Sequence, residues 1–514
     1  MARRAPMNRA RRSFVLGTAA VAGLGAAAYA IRSGLMSAPG ERQALPIPPL
    51  LDARQSGQSI ALKVQAGRTE FFPGRTSATL GYNGSYLGPT LRLYRGDDVQ
   101  VAVANTLDVD TTAHWHGLIV PGELDGGPHQ LIRPGETWRP VLPVRQPAAT
   151  LFYHSHAHGR TAEQVYHGLA GVLIIADDAE RALGLPAEYG VDDLPLVIQD
   201  RQFEEGRLVY PSGMMVSMQG RRGDTLLVNG TRDAQASVPA RRVRLRLVNG
   251  SNARIYTLSF DDERAFHWIA SEGGLLESPV ELRSLSLGPG ERAELLVDFS
   301  DGRAAALVTG PDRNASMMTG GMGAMGRLRE GVASAFSSDR QPVLYFSPAG
   351  VGAAPAALPS RLARRAPPDA SRAAKRRRFV LNMGMGGMMG GGMRGGGMSG
   401  GMGSGMGAGA INGRAFDMNR IDERVRLGDE EIWEVSGEMM AHPFHVHGVH
   451  FEVLSRAGRA PDTRDQGLKD TVLVSEPVEL LVRFTQPAVK SPFMYHCHIL
   501  EHEDNGMMGQ YVTD

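Results

Sequence analysis

Short stretches of alternating apolar and polar residues, separated by turns, constrain the fold of this chain most strongly. Val99, Val101 and Val103 alternate with small or polar residues, and residues 294–299 and 479–484 carry nearly the same pattern. Because successive side chains of a β-strand point to opposite faces, this pattern predicts strands with one buried face. Long amphipathic helical stretches are scarce. We therefore predict an all-β protein built from β-sandwiches.

The length of the chain and a repeated turn predict several such sandwiches in tandem. A chain of 514 residues exceeds the usual size of one domain and is typical of three or four. An Asn-Gly turn recurs at residues 83–84, 229–230 and 412–413, which indicates an internal repeat. A segment rich in alanine, proline and arginine predicts a linker before the third domain. The predicted domains are 46–180, 181–348 and 379–514, and the predicted linker is 349–378.

The first residues resemble an export signal. Arg11 and Arg12 precede an apolar stretch that runs to about Ile31, and residues 28–30 offer a small-residue cleavage pattern. The stretch is short and rich in alanine and glycine, so an uncleaved membrane anchor is the weaker alternative. We predict that residues 1–45 are a signal peptide and N-terminal extension read by the twin-arginine (Tat) export machinery, which delivers the protein to the periplasm.

Charge and cysteine content narrow the classes of function. The formal net charge is +1, so the balance favours neither nucleic acid nor a strongly charged partner. We therefore expect no nucleic-acid partner, and we expect a monomer. The single cysteine, Cys497, excludes an intramolecular disulfide. This cysteine is therefore available for another kind of chemistry.

Most of the 15 histidines fall into four short clusters, two in the first third of the chain and two near its C-terminus. In a β-strand, residues i and i+2 share a face, so each His-x-His motif presents two imidazoles side by side. One such motif arises by chance in surface loops, whereas four of them around a sole cysteine indicate a metal centre. The clusters are His114-Trp115-His116, His154-Ser155-His156, His442 with His445 and His447, and His496-Cys497-His498 with His502.

The ligand types indicate which metal is bound. In a strand His496-Cys497-His498, the two imidazoles share one face and the thiol points to the other. One thiolate, two imidazoles and a distant thioether are typical of a blue-copper electron-transfer site. The remaining histidines of the paired motifs suffice for three more coppers, joined to the first through a few covalent bonds. The residues that provide the blue-copper set are His442, Cys497, His502 and Met507.

These motifs resemble the signature of the multicopper oxidase family. The resemblance covers nearly the whole chain after the signal and is strongest to the bacterial periplasmic cuprous oxidases of copper-efflux systems. It rests on residues 114–128, 438–445 and 496–504. It implies three cupredoxin-like (Greek-key) domains, four copper ions as cofactors and dioxygen as the electron acceptor.

The resemblance also implies a role for individual residues. It implies that Cys497 conducts electrons and that Asp125 and Glu503 supply protons during dioxygen reduction. For Asp125, a plain turn residue before Gly126 is the alternative. The implied ligands are His442, Cys497, His502 and axial Met507 for type 1 copper, His114 and His445 for type 2 copper, His116, His154 and His498 for one type 3 copper, and His156, His447 and His496 for the other.

A methionine-rich tract indicates the electron donor. Residues 383–406 contain eight methionines set among glycines, and soft, flexible thioethers favour Cu(I) over hard cations. By resemblance, Glu438 and Met440 help to bind substrate Cu(I), although aspartate is more usual at the position of Glu438. The predicted substrate site consists of Glu438, Met440, Met383, Met385, Met388 and Met389.

Three functions follow from these patterns. The prediction is a cuprous oxidase that converts Cu(I) to Cu(II) and serves copper tolerance. The first alternative is laccase-like oxidation of phenols or other small aromatic donors, which a methionine-rich segment over the type 1 site would obstruct. The second is a non-catalytic periplasmic copper-binding protein, which predicts copper binding without dioxygen consumption. For the tract itself, a low-complexity linker is the alternative.

Overall fold

Alternating burial along the strands shows why the chain forms sheets. In the computed structural model, residues of the strand Ser59–Phe72 switch between exposed and buried along its first half, as expected for a strand with one face on a core. Ala44–Asp514 forms one compact unit. Most of the predicted signal lies outside the described residues, and so do Met385, Met388 and Met389. The structure describes residues 42–312, 314, 340–350, 352, 357–383 and 409–514.

The first sandwich packs two sheets around a core that includes Trp115 and Tyr153. The strands of this region are β1 Gln43–Ala44, β2 Leu50–Asp52, β3 Ser59–Phe72, β4 Arg75–Tyr82, β5 Thr90–Tyr94, β6 Asp98–Asn105, β7 His114–His116, β8 Thr137–Trp138, β9 Val141–Pro143, β10 Ala149–His154 and β11 Ala170–Ala176. One sheet has the order β4–β3–β6–β8 with β9 beside β6, and the other has the order β2–β5–β11–β10–β7. Strands β7 and β10, which end in histidines, are therefore neighbours.

The second sandwich surrounds a core that includes Trp268 and Phe260. Its strands are β12 Asp193–Glu204, β13 Arg207–Val209, β14 Thr225–Val228, β15 Ala234–Pro239, β16 Arg242–Asn249, β17 Tyr256–Phe260, β18 Phe266–Ser271, β19 Gly274–Leu282, β20 Ser284–Leu287, β21 Arg292–Asp298, β22 Ala305–Thr309 and β23 Gln341–Ala349. One sheet contains β15–β23–β22–β17–β20, and the other contains β13–β12–β16–β21–β18–β19 with β14 beside β12.

The third sandwich has a core that includes Trp433 and Phe444. Its strands are β24 Lys375–Asn382, β25 Ala410–Ile411, β26 Glu423–Val425, β27 Glu430–Gly437, β28 His442–Val446, β29 His450–Arg456, β30 Thr471–Val474, β31 Val478–Arg483, β32 Ala488–Cys497 and β33 Met508–Thr513. The sheet orders are β25–β24–β27–β31–β29 and β26–β33–β32–β28–β30. Strand β24 begins inside the predicted linker 349–378, so the last four residues of that segment belong to the sandwich.

Short helices fill the spaces between the sandwiches. Helix α4 (Leu500–Asp504), which carries His502 and Glu503, packs against α1 (Thr161–Tyr166) and α3 (Met214–Gln219). Elements from all three sandwiches therefore meet there. Among the described residues, no helix has the length and apolar character needed to cross a membrane. The fold confirms the prediction of an all-β chain of three tandem cupredoxin-like sandwiches. The helices are α1 Thr161–Tyr166, α2 Asp178–Arg181, α3 Met214–Gln219 and α4 Leu500–Asp504, with 3-10 turns at Gly122–Leu124, Ala370–Arg372 and Thr463–Asp465.

Candidate metal centre

Two pairs of neighbouring strands bring the histidine motifs together. In the first sandwich, β7 pairs with β10 so that His114 lies opposite His154. In the third sandwich, β28 pairs with β32 so that His445 lies opposite His496. Imidazoles of the two sandwiches stack on each other, with ring centroids as close as 3.7 Å. Motifs from distant parts of the chain therefore form one buried centre.

Three imidazoles converge at one point of this centre. The Nε2 atom of His496 lies 3.2 Å from Nε2 of His156 and 3.2 Å from Nε2 of His447. Three imidazole nitrogens this close together form a donor set that suits copper among the first-row metals. The structure thus brings together the three histidines that the resemblance implied for one type 3 copper.

His116, His154 and His498 form a second group. Nε2 of His154 lies 3.4 Å from Nδ1 of His116. The centroid of the His498 ring lies 4.9 Å from that of His116 and 5.4 Å from that of His154. Both ring nitrogens of His498 lack a hydrogen-bond partner within the part of the chain that the structure describes. The structure therefore brings together the three rings that the resemblance implied for the other type 3 copper, and the facing nitrogens of His116 and His154 also lie near His114.

His114 and His445 present a pair of inward nitrogens. The Nδ1–H of His114 donates to the carbonyl of Asp125 at 3.0 Å, and the Nδ1–H of His445 donates to the carbonyl of Asp470 at 2.9 Å. Their Nε2 atoms are buried and meet no hydrogen-bond partner among the described residues. Because a buried polar atom without a partner is costly, these two atoms fit a metal ion, in the place implied for type 2 copper.

Burial favours the neutral form of most imidazoles of this centre. Removal from water lowers the pKa of six of them well below the ordinary value of 6.5. A neutral imidazole keeps the lone pair that a metal needs, so no proton has to be displaced before the metal binds. The six residues are His116, His154, His156, His447, His496 and His498.

A separate site forms around Cys497 on the other face of its strand. Sγ lies 3.4 Å from Nδ1 of His442 and 3.5 Å from Nδ1 of His502. The Nε2–H of His442 donates to the carbonyl of Glu438 at 2.9 Å, and the Nε2–H of His502 donates to the carbonyl of Met218, in α3, at 2.9 Å. Each outward hydrogen bond turns the Nδ1 lone pair towards the thiol.

The surroundings of this thiol fit a soft metal ion. Burial raises the pKa of Cys497 and lowers the pKa of His442 to about 4 and of His502 to about 3. A thiol in such surroundings becomes a thiolate when a metal cation binds it. Met507 belongs to the same buried apolar cluster, and its carbonyl accepts the backbone N–H of Cys497 at 3.1 Å. The donor set is that of a blue-copper site.

The two acidic residues predicted to supply protons, Glu503 and Asp125, both contact the histidine centre. The carboxylate of Glu503 lies 3.3 Å from Nδ1 of His156 and 3.3 Å from Nδ1 of His496, and burial raises the pKa of Glu503 well above its ordinary value. Oδ2 of Asp125 accepts the Nδ1–H of His447 at 2.8 Å. Asp125 therefore contacts the centre as well as occupying a turn.

Part of the predicted substrate site lies beside the thiol site. Oε2 of Glu438 accepts the backbone N–H of Met383 at 3.3 Å, and Oε1 accepts the side-chain amide of Asn382 at 3.0 Å. Met383 and Met440 are buried in the apolar cluster that contains Cys497. Three of the predicted residues are therefore close together, while the other three methionines fall outside the described residues.

Several groups that hold the ligands have no motif in the sequence. Asp470 and Thr471 each contact both His116 and His445, and Arg292 of the second sandwich donates two hydrogen bonds to Asp470. Arg292 and Asp470 lie 178 positions apart in the sequence, so no local spacing connects them. In the sequence, the His-x-His pattern marks the histidines that could bind a metal. It does not mark the residues that hydrogen-bond to those histidines.

Comparison with known proteins shows relatives along nearly the whole chain. Residues 63–180 and 391–514 match multicopper oxidase domains. The chain is 37% identical over 479 residues to the cell division protein FtsP of Escherichia coli (strain K12), covering 93% of this chain and 94% of that protein. It is 36% identical over 476 residues to the multicopper oxidase mco of Staphylococcus aureus, covering 90% and 91% respectively.

A solved structure has the same architecture. It is that of CueO, a bacterial laccase-like multi-copper oxidase from the lignin-degrading bacterium Ochrobactrum sp., with oxidase activity towards lignin model compounds and lignosulfonate. The two chains superpose with a TM-score of 0.80 at 41% identity, covering 91% of this chain and 100% of that one. With its three sandwiches and its histidine and cysteine sites, this chain belongs to the multicopper oxidase family of copper-dependent oxidoreductases that use dioxygen.

Proposed function

We propose that this protein oxidises Cu(I) to Cu(II) in the periplasm and passes the electrons to dioxygen, which serves copper tolerance. One observation carries the proposal: Cys497 directs its thiol at His442 and His502, while His496 and His498 direct their rings into the histidine centre. An electron-accepting site and a dioxygen-reducing site are thereby joined by a few covalent bonds. Four Cu(I), one dioxygen and four protons give four Cu(II) and two waters.

We assign four resident copper ions to the side chains described above. When bound, they supply one-electron transfer at the thiolate site and four-electron reduction of dioxygen at the histidine centre. The chain itself holds each imidazole with one nitrogen inward and excludes bulk water by burial. The assigned ligands are His442, Cys497, His502 and Met507 for type 1, His114 and His445 for type 2, His116, His154 and His498 for one type 3 ion, and His156, His447 and His496 for the other.

Glu503 and Asp125 supply the protons in this proposal. Glu503 lies between His156 and His496 at 3.3 Å from each, and burial raises the pKa of its carboxyl, which favours the protonated form. It can therefore deliver a proton at a carboxyl oxygen without any rearrangement of the helix that carries it. Asp125 reaches the opposite part of the centre through its hydrogen bond to His447.

Support for Cu(I) as the electron donor comes from the surroundings of His442. Its Nε2–H bonds the carbonyl of Glu438, and the carboxylate of Glu438 bonds the backbone of Met383. Thioethers prefer Cu(I) to hard cations, so Glu438, Met383 and the buried Met440 form a suitable site one imidazole away from Cys497. Met385, Met388 and Met389 complete the proposed substrate site.

Laccase-like oxidation of small aromatic donors is the second candidate. It is favoured by the relative CueO, which acts on lignin model compounds. Against it stands the burial of His442, Cys497 and His502, which keeps a large phenol away from these ligands. Complete donor sets at both sites oppose a non-catalytic copper-binding protein. The name of the Escherichia coli relative refers to cell division, and none of the features above depends on such a role.

Dioxygen uptake by the copper-loaded protein distinguishes these activities. Cu(I) and a phenol are supplied separately to the intact chain and to a variant in which residues 384–408 are replaced by a short Gly-Ser linker, which keeps Met383 on Glu438. We expect fast uptake with Cu(I), and uptake with the phenol only in the shortened variant. Fast phenol oxidation by the intact chain, unaffected by the replacement, would make the protein a laccase. Copper binding without uptake would leave the non-catalytic function.

We also propose export to the periplasm on the basis of residues 1–45. Twin-arginine signals depend on both arginines of the motif. Cells that produce the double variant Arg11→Lys with Arg12→Lys should retain the protein in the cytoplasm, as measured by fractionation and immunoblotting. Equal periplasmic amounts of the variant and the wild type would contradict this route.

A further inference from the structure

We propose that Asp470, bound by Arg292 of the second sandwich, is a positioning residue that fixes the orientation of His116 and His445 at the copper centre. The inference rests on the copper assignment proposed above and adds a role for the second sandwich. None of the ligands assigned among the described residues comes from that sandwich, so its contribution has to pass through contacts behind the ligands.

His116 differs from its neighbours in the nitrogen that it offers. His114 and His445 bond outward through Nδ1 and direct Nε2 inward. His116 does the reverse, because its Nε2–H donates to Oδ1 of Asp470 at 3.0 Å while its Nδ1 faces Nε2 of His154 at 3.4 Å. A neutral imidazole has one donor and one acceptor nitrogen. The bond to the carboxylate therefore leaves the Nδ1 lone pair for the metal.

Asp470 and Thr471 hold both rings at once. The carbonyl of Asp470 accepts the Nδ1–H of His445 at 2.9 Å. The hydroxyl of Thr471 lies 3.1 Å from Nε2 of His116 and 3.1 Å from Nδ1 of His445, and it donates to Oδ1 of Asp470 at 2.8 Å. The two rings stack with centroids 3.7 Å apart. One two-residue segment thus fixes a ligand from the first sandwich and a ligand from the third.

Arg292 in turn fixes the carboxylate of Asp470. Nη1 donates to Oδ1 at 2.7 Å and Nη2 donates to Oδ2 at 2.6 Å, a bidentate geometry. Its remaining contacts are to the backbone carbonyls of Thr150, Gly290 and Glu272. Both charged side chains have 0% exposure, and neither can be left unpaired there without a large loss of stability. The guanidinium therefore joins all three sandwiches behind the copper ligands.

A second buried ion pair offers a matched control. Arg456 and Asp465 form a bidentate pair within the third sandwich, with distances of 2.7 and 2.6 Å. In the hydrogen bonds of the described residues, this pair contacts no histidine of the centre. Asp465→Asn therefore removes a comparable ion pair without touching a ligand, and Asp470→Asn removes the ion pair whose carboxylate also accepts the hydrogen bond of His116.

The test compares full-length, copper-loaded Asp470→Asn, Thr471→Val and Asp465→Asn with the wild type. In Asp470→Asn, the NH2 group faces either Arg292 or His116 as a second donor, so the chain of hydrogen bonds from Arg292 through residue 470 to His116 is broken at one of its two links. We expect the histidine centre to bind copper about 10- to 100-fold more weakly, with an altered EPR signal of that centre and an unchanged visible absorption of the thiolate site. Thr471→Val should alter the same EPR signal less. Asp465→Asn should lower thermal stability and keep the copper content and both signals.

Wild-type copper content and EPR spectrum in Asp470→Asn would overturn the inference. Loss of both copper signals in that variant, or the same loss in Asp465→Asn, would also overturn it, because either result indicates a general effect on folding. The readouts are the metal content and spectra of the resting protein. A wild-type protein that has this metal content and these spectra but does not oxidise Cu(I) would therefore contradict the proposed function alone.

Discussion

Most imidazoles of the two sites are oriented by an acceptor at the nitrogen that faces away from the site, and the kind of acceptor decides whether the sequence reveals it. For His496 and His442 the acceptors are the backbone carbonyls of Cys497 and Glu438. Every residue has a carbonyl, so this contact leaves no signature in the sequence. The opposite orientations of Cys497 and its two histidine neighbours were predictable, because they depend only on alternation within one strand.

Replacing the thiol tests the assignment of the thiolate site. In Cys497→Ser, the hydroxyl stays protonated and is a poor ligand for copper, whereas the histidine centre keeps all its nitrogens. We expect the intense visible absorption to disappear and dioxygen uptake with Cu(I) to stop, while copper still binds at the histidine centre. Retention of either the absorption or the turnover, measured by spectroscopy and an oxygen electrode, would contradict the assignment.

Glu503 offers a test of proton supply. Glu503→Gln keeps the shape of the side chain between His156 and His496 but cannot release a proton. We expect dioxygen reduction to slow by about 10²- to 10⁴-fold, measured as reoxidation of the fully reduced protein, with unchanged visible absorption. Glu501→Gln is the control on the same helix, because Glu501 bonds Arg221 and not the copper centre. If Glu503→Gln is reoxidised as fast as Glu501→Gln, Glu503 does not supply protons to dioxygen reduction.

At the scale of elements, strands were easier to predict than helices. Alternation marked the strands, but α3 is only six residues long (Met214–Gln219), too short for a periodic pattern. Glycines stand on both sides of it, Gly213 and Gly220, with positive φ angles, and such a helix depends on packing for its stability. Arg377 lies in the segment that was predicted as a linker, yet it is buried against Glu431, because this partner lies in β27, which pairs with β24 only in the folded sheet.

Helix α3 covers the outer nitrogen of His502, and this predicts an effect on donor choice. The carbonyl of Met218 accepts the Nε2–H of that ring, and α3 packs against α4. In the variant that already lacks residues 384–408, replacing residues 214–219 with a Gly-Ser segment should open the ring to small aromatic donors. We expect kcat/KM for a phenol to rise by about tenfold, because the donor can then approach a copper ligand directly. An unchanged value in a variant with normal visible absorption would show that α3 does not limit access.

At the scale of the whole molecule, three sandwiches followed from length and repeated turns, but their arrangement did not. The meeting of the first and third sandwiches was implied only by the family resemblance, because the histidine spacing states how many ligands exist and not which strands face each other. The charged contacts between sandwiches were not predicted either. Arg244 and Arg246 lie two positions apart in β16, and Glu294 lies opposite Arg246 in β21. Apolar residues are the usual occupants of such a buried face.

Glu294 stabilises the contact between the first and second sandwiches. It accepts hydrogen bonds from Arg244 at 2.8 Å, Arg246 at 3.0 Å and Thr150 at 2.6 Å. Burial alone would raise the pKa of Glu294, but the two guanidinium groups hold it at about 2, below the ordinary value of 4.5. Its stabilisation is therefore present above the ordinary pKa and is lost as the pH falls towards about 2.

Glu294→Gln should therefore lower the free energy of unfolding by about 3–5 kcal/mol at neutral pH. The difference from the wild type should shrink as the pH falls through the range between the two pKa values. Urea unfolding of the copper-free protein at several pH values measures both effects. Glu281→Gln, at an exposed glutamate of the same sandwich, should change little at any pH. A difference for Glu294→Gln that stays constant with pH would refute the charged role.

His156 and His496 meet at the centre although 340 residues separate them in the sequence. A metal ion bound to both side chains, as proposed above, would act as a reversible cross-link that closes a loop containing most of the protein. Closing such a loop removes chain entropy from the unfolded ensemble, and a ligand that binds only the folded chain adds stability by mass action. The lifetime of the protein would then depend on the copper supply of its compartment. When copper is scarce, the folded chain loses this stabilisation, unfolds more often and becomes a better substrate for proteases.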